Sequence, residues 1–308
     1  MKRLSLVQSV PNFSEGRRLD VVEALANAAG SVSGALLADH SADPDHNRCV
    51  LTLLGAPDAV HRALLACAQV AVEMIDVSQH HGEHPRVGAI DVVPIVPLLG
   101  CTMDECVGLS RLVAKDIAEF LYIPVYLYAC SANSCDREHL PRVRRGGLES
   151  LRKTGLIGDR CPDFGPCELH PTAGAAIVGA RGPLIAFNVN LDAADKTFAD
   201  AIAARIRRDR SHNPRLAGVR AIGVNLASRG ITQVSTNITK PGPSSLFDVY
   251  SYIADAAGEL EVGIAGAELI GCIRAEHLDR RVFQIIPNLA LSESQILDEW
   301  VEKYLSHG

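Results

Sequence analysis

The order in which strand-like and helix-like segments alternate constrains the fold of this chain more than any other feature. Apolar, β-branched stretches with strand character cover residues 4–10, 34–39, 49–54 and 89–96, and helical apolar spacing covers residues 19–29 and 59–77. The first 97 residues therefore have the order β-α-β-β-α-β, which is the split βαβ pattern of a ferredoxin-like unit. We expect Pro94 to end regular pairing near Val93, since proline has no N–H to donate to a sheet.

The second half repeats this order without a residue-level repeat. Strands are predicted at residues 175–178, 184–191, 219–225 and 231–239 and within 261–273, and helices at about 193–208 and 246–260. Between the halves lie a helix at about 103–121, a strand at 125–129, a basic helical segment and a Gly- and Pro-rich loop at 155–174. We therefore predict an α+β fold of two ferredoxin-like subdomains in tandem, at residues 1–175 and 176–308. Ser292 is expected to cap a last helix at 292–305, with Gln295 completing a capping box.

Composition restricts the classes of protein to which the chain can belong. Hydrophobic residues make up 47% and charged residues 21%, which is typical of a soluble globular protein. The net charge of −6 argues against a nucleic-acid partner, and the basic run 205–210 is interpreted as a helix C-terminus. We find neither a secretory signal peptide nor an apolar run long enough to cross a membrane. Nine cysteines without a Cys-x-x-Cys pair indicate free thiols in a reducing compartment, so a cytoplasmic location is expected.

The stretch from His80 to Asp91 carries the strongest indication of chemistry. His84 precedes a proline, which favours extended geometry, so we expect it where a long helix gives way to a strand. With Glu83 and Arg86 beside it, His84 suits proton transfer near an anionic substrate. His80 and His84 have the spacing of helical zinc ligands, but Gly82 and Pro85 argue against continuous helix there, so no metal is expected.

Two further clusters precede predicted strands or helices. Residues 39–48 are acidic and contain a proline, as a solvated turn would be, yet Asn47 and Arg48 stand at the start of an apolar strand. There a guanidinium can hold a carboxylate with two hydrogen bonds. In residues 12–18, Ser14 could cap a helix, and the exposed amides of that helix could attract a carboxylate. Each of these signals is weak by itself, and no nucleotide-binding pattern occurs.

Taken together, these segments resemble the glutamate formimidoyltransferase family. The resemblance runs in order from about residue 9 to about residue 270, and several of its motifs exceed six residues. The stretches that carry it are residues 10–17, 47–48, 82–86 with 88–91, 103–107, 123–128, 162–166, 184–191 and 233–237.

The family resemblance implies an activity and a site. The reaction transfers the formimino group of N-formimino-L-glutamate to N5 of tetrahydrofolate, the co-substrate, in histidine degradation. The family's catalytic histidine corresponds to His84, in the Gly-Glu-His-Pro-Arg motif. Members are typically homodimers, and this chain resembles the stand-alone form, for which the cyclodeaminase is a separate partner. The matching folate-binding loop comprises Gly165, Pro166, Cys167, Glu168, Leu169, His170, Pro171, Thr172, Ala173 and Gly174.

The remaining roles are hypotheses from charge and position. Arg48 and Arg86, with Asn47 next to the former, would hold substrate carboxylates. Asp39 and Glu83 would orient His84 or bind the N–H groups of the formimino donor.

The chain departs from the family at two positions, and three other functions stay open. Ser41 stands where members often have a second acid, and Ala173 where animal members carry a tryptophan. The first alternative is a formyltransferase that uses N-formyl-glutamate. The second is a non-catalytic folate-binding protein. The third is a metal-dependent hydrolase of the formimino donor.

Overall fold

A seven-stranded sheet organises the first unit of the computed structural model, which describes residues 4–82 and 85–307 and divides into two units after Gly182. Its strands are Leu6–Ser9 (β1), Asn12–Phe13 (β2), Ala35–Asp43 (β3), Arg48–Gly55 (β4), Ile90–Leu99 (β5), Val125–Leu127 (β6) and Ala176–Ala180 (β7). Its helices are Leu19–Gly30 (α1), Pro57–Met74 (α2), Met103–Leu121 (α3), Leu140–Val143 (α4) and Gly147–Thr154 (α5). Across the sheet, β3 is followed by β4, then by β1 and β2, then by β5, β7 and β6. The pairs up to β5 are antiparallel, whereas β7 joins β5 and β6 in parallel.

Helices α1, α2 and α3 cover one face of this sheet. Strand β4 shows how the sequence determines which face is covered, because successive side chains of a strand point to opposite faces. Leu51 and Leu53 are fully buried in the core that the helices share, and each contributes about 1.5–3 kcal/mol through burial. Arg48 and Thr52 therefore lie on the opposite face of the same strand. Polar groups of β4 are thus gathered on the side of the sheet away from these helices.

Among the described residues, α5 covers the opposite face of the sheet where β5, β6 and β7 lie. Leu151 of α5 packs there against Val92, Tyr126 and Ile177 in a separate apolar cluster. Within the described residues, this cluster does not include side chains of β3 or β4. The polar positions of those two strands therefore lie beyond the apolar cover.

The second unit contains a five-stranded sheet with its own core. Its strands are Ile185–Leu191 (β8), Val219–Leu226 (β9), Ile231–Ile238 (β10), Ile264–Ile270 (β11) and Leu289–Ala290 (β12). Its helices are Lys196–Asp209 (α6), Leu246–Glu259 (α7), Val282–Ile285 (α8) and Leu297–His307 (α9). The strand order is β12-β11-β8-β10-β9, antiparallel except between β11 and β12. Helices α6 and α7 bury their apolar sides in this core, through residues such as Ile202 and Ile253.

Two sheets combined with helices agree with the predicted α+β class, but three expectations about individual elements were wrong. Strand β5 continues through Pro94, which pairs with Gly179 of β7, and the Pro94 carbonyl accepts a hydrogen bond from Ser9 Oγ at 2.8 Å. Helix α2 ends at Met74, well before the predicted residue 77. The capping box of Ser292 exists, but it closes a 3₁₀ turn, and α9 begins at Leu297.

The unit boundary also differs from the predicted one at residue 175. Strand β7 follows that position and completes the first sheet, so the division falls at Gly182. None of the described helices combines the length and the apolar character that crossing a bilayer requires.

Candidate active site

The turn between β3 and β4 connects two loops of the first unit. Its last residue, Asn47, has a left-handed backbone with φ of 47°. The Asn47 Oδ1 atom accepts a hydrogen bond from the Gly16 N–H at 2.9 Å, and Nδ2 donates to the His81 carbonyl at 3.1 Å. The Asn47 carbonyl also lies 2.7 Å from Nε2 of His80. Asn47 therefore fixes the connection before α1 and the loop after α2 to one turn.

Arg48, the next residue, belongs to a buried charge cluster. Its Nη1 atom donates to Asp91 Oδ2 at 2.7 Å, while Nε and Nη2 donate to Asn12 Oδ1 at 2.9 and 2.7 Å. Asp91 is fully buried, and it also accepts hydrogen bonds from Arg144 and, at 3.1 Å, from the Val87 N–H. Each described contact of the Arg48 guanidinium is thus internal to the fold, and its predicted role as a carboxylate ligand stays a prediction.

Burial lowers the pKa of Arg48 to about 10, an effect that Asp91 opposes and the charge of Arg144 reinforces. Arg48 consequently remains a cation at neutral pH. Two guanidinium groups share one buried carboxylate, and breaking such a cluster on one side costs several kcal/mol. The cluster anchors the start of β4 to the start of β5.

The segment before α1 is held differently from the expectation. Ser14 does not cap that helix, because its hydroxyl donates to the Gly88 carbonyl at 2.7 Å. Glu15 accepts hydrogen bonds from the N–H groups of Arg17 and Arg18 at 2.9 and 3.1 Å, just before α1 begins, and no described side chain caps the helix itself. Burial alone would raise the pKa of Glu15, but these hydrogen bonds and the Arg18 guanidinium outweigh burial and lower it. Glu15 therefore orders the residues immediately before α1.

Asp39 and Thr52 form a polar pair on the face of the sheet away from α1 and α2. The two residues are direct partners in the pairing of β3 with β4. Among the described residues, neither Asp39 Oδ2 nor Thr52 Oγ1 has a hydrogen-bond partner, although both atoms are buried. Burial raises the pKa of the Asp39 carboxyl, and His40 counteracts this only in part. Buried polar atoms without partners are uncommon in folded proteins, so this pair is a candidate ligand contact.

Arg86 holds the loop of residues 80–86 against α5. One of its Nη2 hydrogen bonds goes to the His80 carbonyl at 2.8 Å, and another goes to Glu149 Oε1 at 2.9 Å. Only 13% of the Arg86 side chain is exposed, against 65% for Glu149. Glu83 and His84, which the sequence singles out most strongly, lie outside the described residues.

The loop of residues 165–174 is closed by its own hydrogen bonds. His170 and Gly174 exchange two backbone hydrogen bonds, each of 3.0 Å. Nδ1 of His170 accepts a hydrogen bond from the Ala173 N–H at 3.0 Å, and burial lowers the pKa of this imidazole. The Thr172 carbonyl accepts from the Val77 N–H at 2.8 Å, which attaches the loop to the segment after α2. The C-terminal part of the loop is therefore part of the scaffold.

Only some of the loop residues are accessible. The side chain of Ala173 is fully buried in the core, so it offers no surface on which a ring could stack. Gly174 is buried as well. Side chains that contact a ligand must therefore come from the exposed or half-buried positions, which are Gly165, Pro166, Cys167, Glu168, Leu169, His170, Pro171 and Thr172.

Gly88 marks the closest approach of this loop to the start of β5. A Cβ atom at Gly88 would lie 2.0 Å from the Ala175 carbonyl oxygen and 2.4 Å from that of Ala173. We expect Gly88→Ala to lower the free energy of unfolding by about 2–3 kcal/mol or more, because neither backbone can move without breaking its pairing. Chemical denaturation would measure this loss.

Gly108 supplies the matched control for Gly88→Ala. It lies within α3, and a Cβ there would meet nothing within 4 Å. Gly108→Ala should therefore raise stability by about 0.5–1 kcal/mol, since alanine is the better helix former. Equal effects of the two substitutions would contradict the close contact at Gly88.

Some of these contacts have no clear signal in the sequence. Thr52 could be noticed as a polar residue within the apolar run of residues 49–54, whereas Arg144 is one of several arginines in a basic segment. Within the part of the chain that the structure describes, no group of three or more His, Cys, Asp or Glu side chains is arranged to hold a metal ion.

Comparisons with known proteins decide the family. Residues 6–181 match the model of the formiminotransferase domain, N-terminal subdomain, and residues 186–284 match that of the formiminotransferase domain. The chain belongs to the formiminotransferase family. The two matched ranges meet within a few residues of the unit boundary at Gly182.

Curated members of this family are similar to the chain over most of its length. A glutamate formimidoyltransferase of Streptococcus pyogenes is 41% identical over 273 residues, which are 89% of this chain and 90% of that protein. A glutamate formimidoyltransferase of Thermoplasma acidophilum is 35% identical over 97% of this chain and 98% of its own length. The formimidoyltransferase-cyclodeaminase of Sus scrofa is 40% identical, but only 50% of that longer protein is covered.

Proposed function

We propose that this protein transfers the formimino group of N-formimino-L-glutamate to N5 of tetrahydrofolate, giving 5-formiminotetrahydrofolate and L-glutamate in histidine degradation. The observation that carries this proposal is the 41% identity to a glutamate formimidoyltransferase over about nine-tenths of both chains. This similarity covers both units of the chain and is not confined to a single motif. A transferase of one-carbon groups is the function that the family supports best.

The reaction needs a group that moves a proton between two nitrogens. The accepting nitrogen loses a proton as it bonds to the formimino carbon, and the glutamate nitrogen must gain one before it leaves. We assign both transfers to His84, which matches the family's catalytic position. An imidazole has a pKa close to neutrality, so it serves as base and then as acid, which is typically worth ~10²–10⁴-fold.

Asp39 is our candidate for recognising the donor. Its buried Oδ2 atom has no hydrogen-bond partner among the described residues, and an amidine offers N–H groups to such an acceptor. A buried hydrogen bond to a charged group is worth about 1.5–3 kcal/mol. Glu83, Asn47, Arg48 and Arg86 remain proposed contributors, although the described side-chain contacts of Asn47, Arg48 and Arg86 are internal.

Tetrahydrofolate supplies the accepting nitrogen when it is bound as co-substrate. The loop of residues 165–174 suits the binding of a large ligand in one respect, because hydrogen bonds hold its C-terminal part while its N-terminal part is accessible. We propose that residues 165–172 contact the co-substrate and that Ala173 and Gly174 support them from the core. No metal is part of the proposed chemistry.

We also propose that both units are ferredoxin-like subdomains in tandem. In the first unit the four strands of the β-α-β-β-α-β series are, in chain order, β1–β2, β3, β4 and β5. In the sheet, the first of these strands lies between the third, β4, and the fourth, β5. In the second unit β9, β10, β8 and β11 have the same relative order. We place the boundary after Gly182.

The proposal includes a cytoplasmic homodimer with a separate cyclodeaminase, and light scattering would test the dimer.

Transfer assays with two donors test the proposed function directly. Purified protein is incubated with tetrahydrofolate and either N-formimino-L-glutamate or N-formyl-L-glutamate, and the substituted folate is quantified. We expect turnover with the formimino donor that exceeds turnover with the formyl donor. Preference for the formyl donor would identify a formyltransferase instead, and folate binding without transfer from either donor would identify a binding protein.

Asp39→Asn should have opposite effects on activity and stability. We expect kcat/KM for the donor to fall about ten- to a hundredfold, because a charged acceptor is replaced by a neutral amide. The pKa of Asp39 is raised on folding, so the wild-type protein loses stability as the pH rises from the ordinary Asp range through the folded pKa. Asp39→Asn should therefore have the higher melting temperature at neutral pH, and this advantage should disappear in acid. A lower melting temperature at every pH would contradict the assignment.

A further inference from the structure

A second histidine in the loop after α2, His80, has a ring whose orientation the fold fixes. Its Nε2 atom lies 2.7 Å from the Asn47 carbonyl oxygen, which can only accept a hydrogen bond. Nε2 must therefore carry the proton, and in a neutral ring Nδ1 must then be an acceptor. His80 is only 7% exposed, and its own carbonyl is held by Arg86. The ring is thus positioned through its backbone and through one of its two nitrogens.

The second ring nitrogen of His80, Nδ1, is in a different situation. Among the described residues, Nδ1 of His80 is buried and lacks a hydrogen-bond partner. Burial, together with the positive charges of Arg86 and Arg17, lowers the pKa of His80, while the Asn47 carbonyl and Glu15 oppose this. The imidazole is therefore neutral at physiological pH, and its Nδ1 lone pair is available. Leaving a buried acceptor unpaired costs about 1–3 kcal/mol, so a partner at this atom is expected in the working protein.

We propose that Nδ1 of His80 is a binding site for an N–H group of the amidine donor, and that His80 positions this donor without exchanging its own proton. The proposal rests on the proposed function, since that function supplies an N–H ligand beside this loop. His80 precedes His84 by four residues, so the acceptor stands in the segment that carries the expected acid–base group. The amidine N–H is a suitable partner because a neutral acceptor in a buried position favours a donor group.

Two substitutions separate this role from a structural one. In His80→Gln the longer amide can still reach the Asn47 carbonyl with its N–H, but it has no acceptor at the position of Nδ1. In His80→Asn the shorter amide oxygen stands near the position of Nδ1, while the hydrogen bond to Asn47 is lost. We expect His80→Gln to keep the wild-type melting temperature and to raise KM for N-formimino-L-glutamate roughly ten- to a hundredfold. His80→Asn should lower the melting temperature and keep a KM for N-formimino-L-glutamate close to that of the wild-type protein.

His81→Gln serves as the matched control, because His81 is exposed and contributes its backbone carbonyl to Asn47. It should leave both KM and melting temperature unchanged. Wild-type KM in His80→Gln, with a loss of stability in His80→Asn, would overturn the proposal and leave His80 as a structural support of the turn.

Calorimetric titration with N-formimino-L-glutamate distinguishes failure of this inference from failure of the proposed function. If wild-type protein binds the donor without transferring the formimino group, the transfer function fails while the comparison of His80→Gln with wild type still tests the acceptor site. If wild-type protein neither transfers nor binds the donor, both proposals are overturned.

Discussion

His84→Ala is expected to reduce kcat/KM for formimino transfer by at least ~10²-fold, the lower range of what a positioned acid–base group contributes. The loss should appear mainly in kcat, because the imidazole moves a proton in the transition state and is not proposed to hold the donor in the ground state. Steady-state kinetics that follow formation of 5-formiminotetrahydrofolate would measure it. Added imidazole should restore part of the lost rate, since a free base can enter the space that the truncated side chain leaves.

His81→Ala is the control for His84→Ala. His81 is a neighbouring exposed histidine, so its replacement tests whether any loss of imidazole from this loop affects the rate. We expect less than a twofold change in kcat/KM, in line with an exposed side chain. If both substitutions reduced the rate equally, or if His84→Ala retained wild-type kcat, the acid–base assignment would have to be abandoned.

Asp91→Asn should have the largest effect on stability. The carboxylate is fully buried and pairs with both Arg48 and Arg144, so an amide in its place removes the negative charge that these two cations share. We expect the free energy of unfolding to fall by about 3–5 kcal/mol. At roughly 2–4 °C per kcal/mol for a protein of this size, calorimetry should detect a decrease of about 10 °C in the transition of the first unit.

An exposed ion pair in the same unit provides the control for Asp91→Asn. Arg62 Nη1 lies 2.8 Å from Asp58 Oδ2, a distance close to that of the buried pair, but 54% and 75% of these side chains are exposed. Asp58→Asn should therefore cost less than about 1 kcal/mol, because water screens the pair. If Asp91→Asn were as mild as Asp58→Asn, the buried cluster would not be what anchors β4 to β5.

Local signals in the sequence were sufficient to predict the bounds of elements whose ends carry capping residues. Helix α3 was predicted at residues 103–121 and occupies those residues, because Thr102 and Glu105 form a complete capping box at its start. Strand β5 was predicted too short for a reason that is not local. Whether Pro94 interrupts a sheet depends on the strands beside it, and here β7, far away in the sequence, stays paired with β5 on both sides of the proline.

The candidate site was predictable in its residue types but not in its contacts. The sequence marked Arg48 as a cation at the start of a strand, but it could not reveal that Asp91 and Asn12 already occupy its guanidinium. For His80 the sequence raised a zinc-ligand role only to argue against it, whereas the fold leaves its buried Nδ1 without a hydrogen-bond partner among the described residues. Such distinctions depend on which partners meet across the sheet, and one chain without its structure does not contain them.

The connection between β3 and β4 has a consequence for how this chain can vary in length. Hairpin connections usually tolerate insertions and deletions, because few contacts depend on them. Here the pairing of the two strands ends at Asp43 with Arg48, and Asn47 within the connection holds two other segments, at Gly16 and at His80–His81, through its amide and its carbonyl. One added or removed residue would shift those hydrogen bonds out of reach together. This short surface connection should therefore be as intolerant of length change as a core strand, and loop engineering is better directed to the turn between β9 and β10.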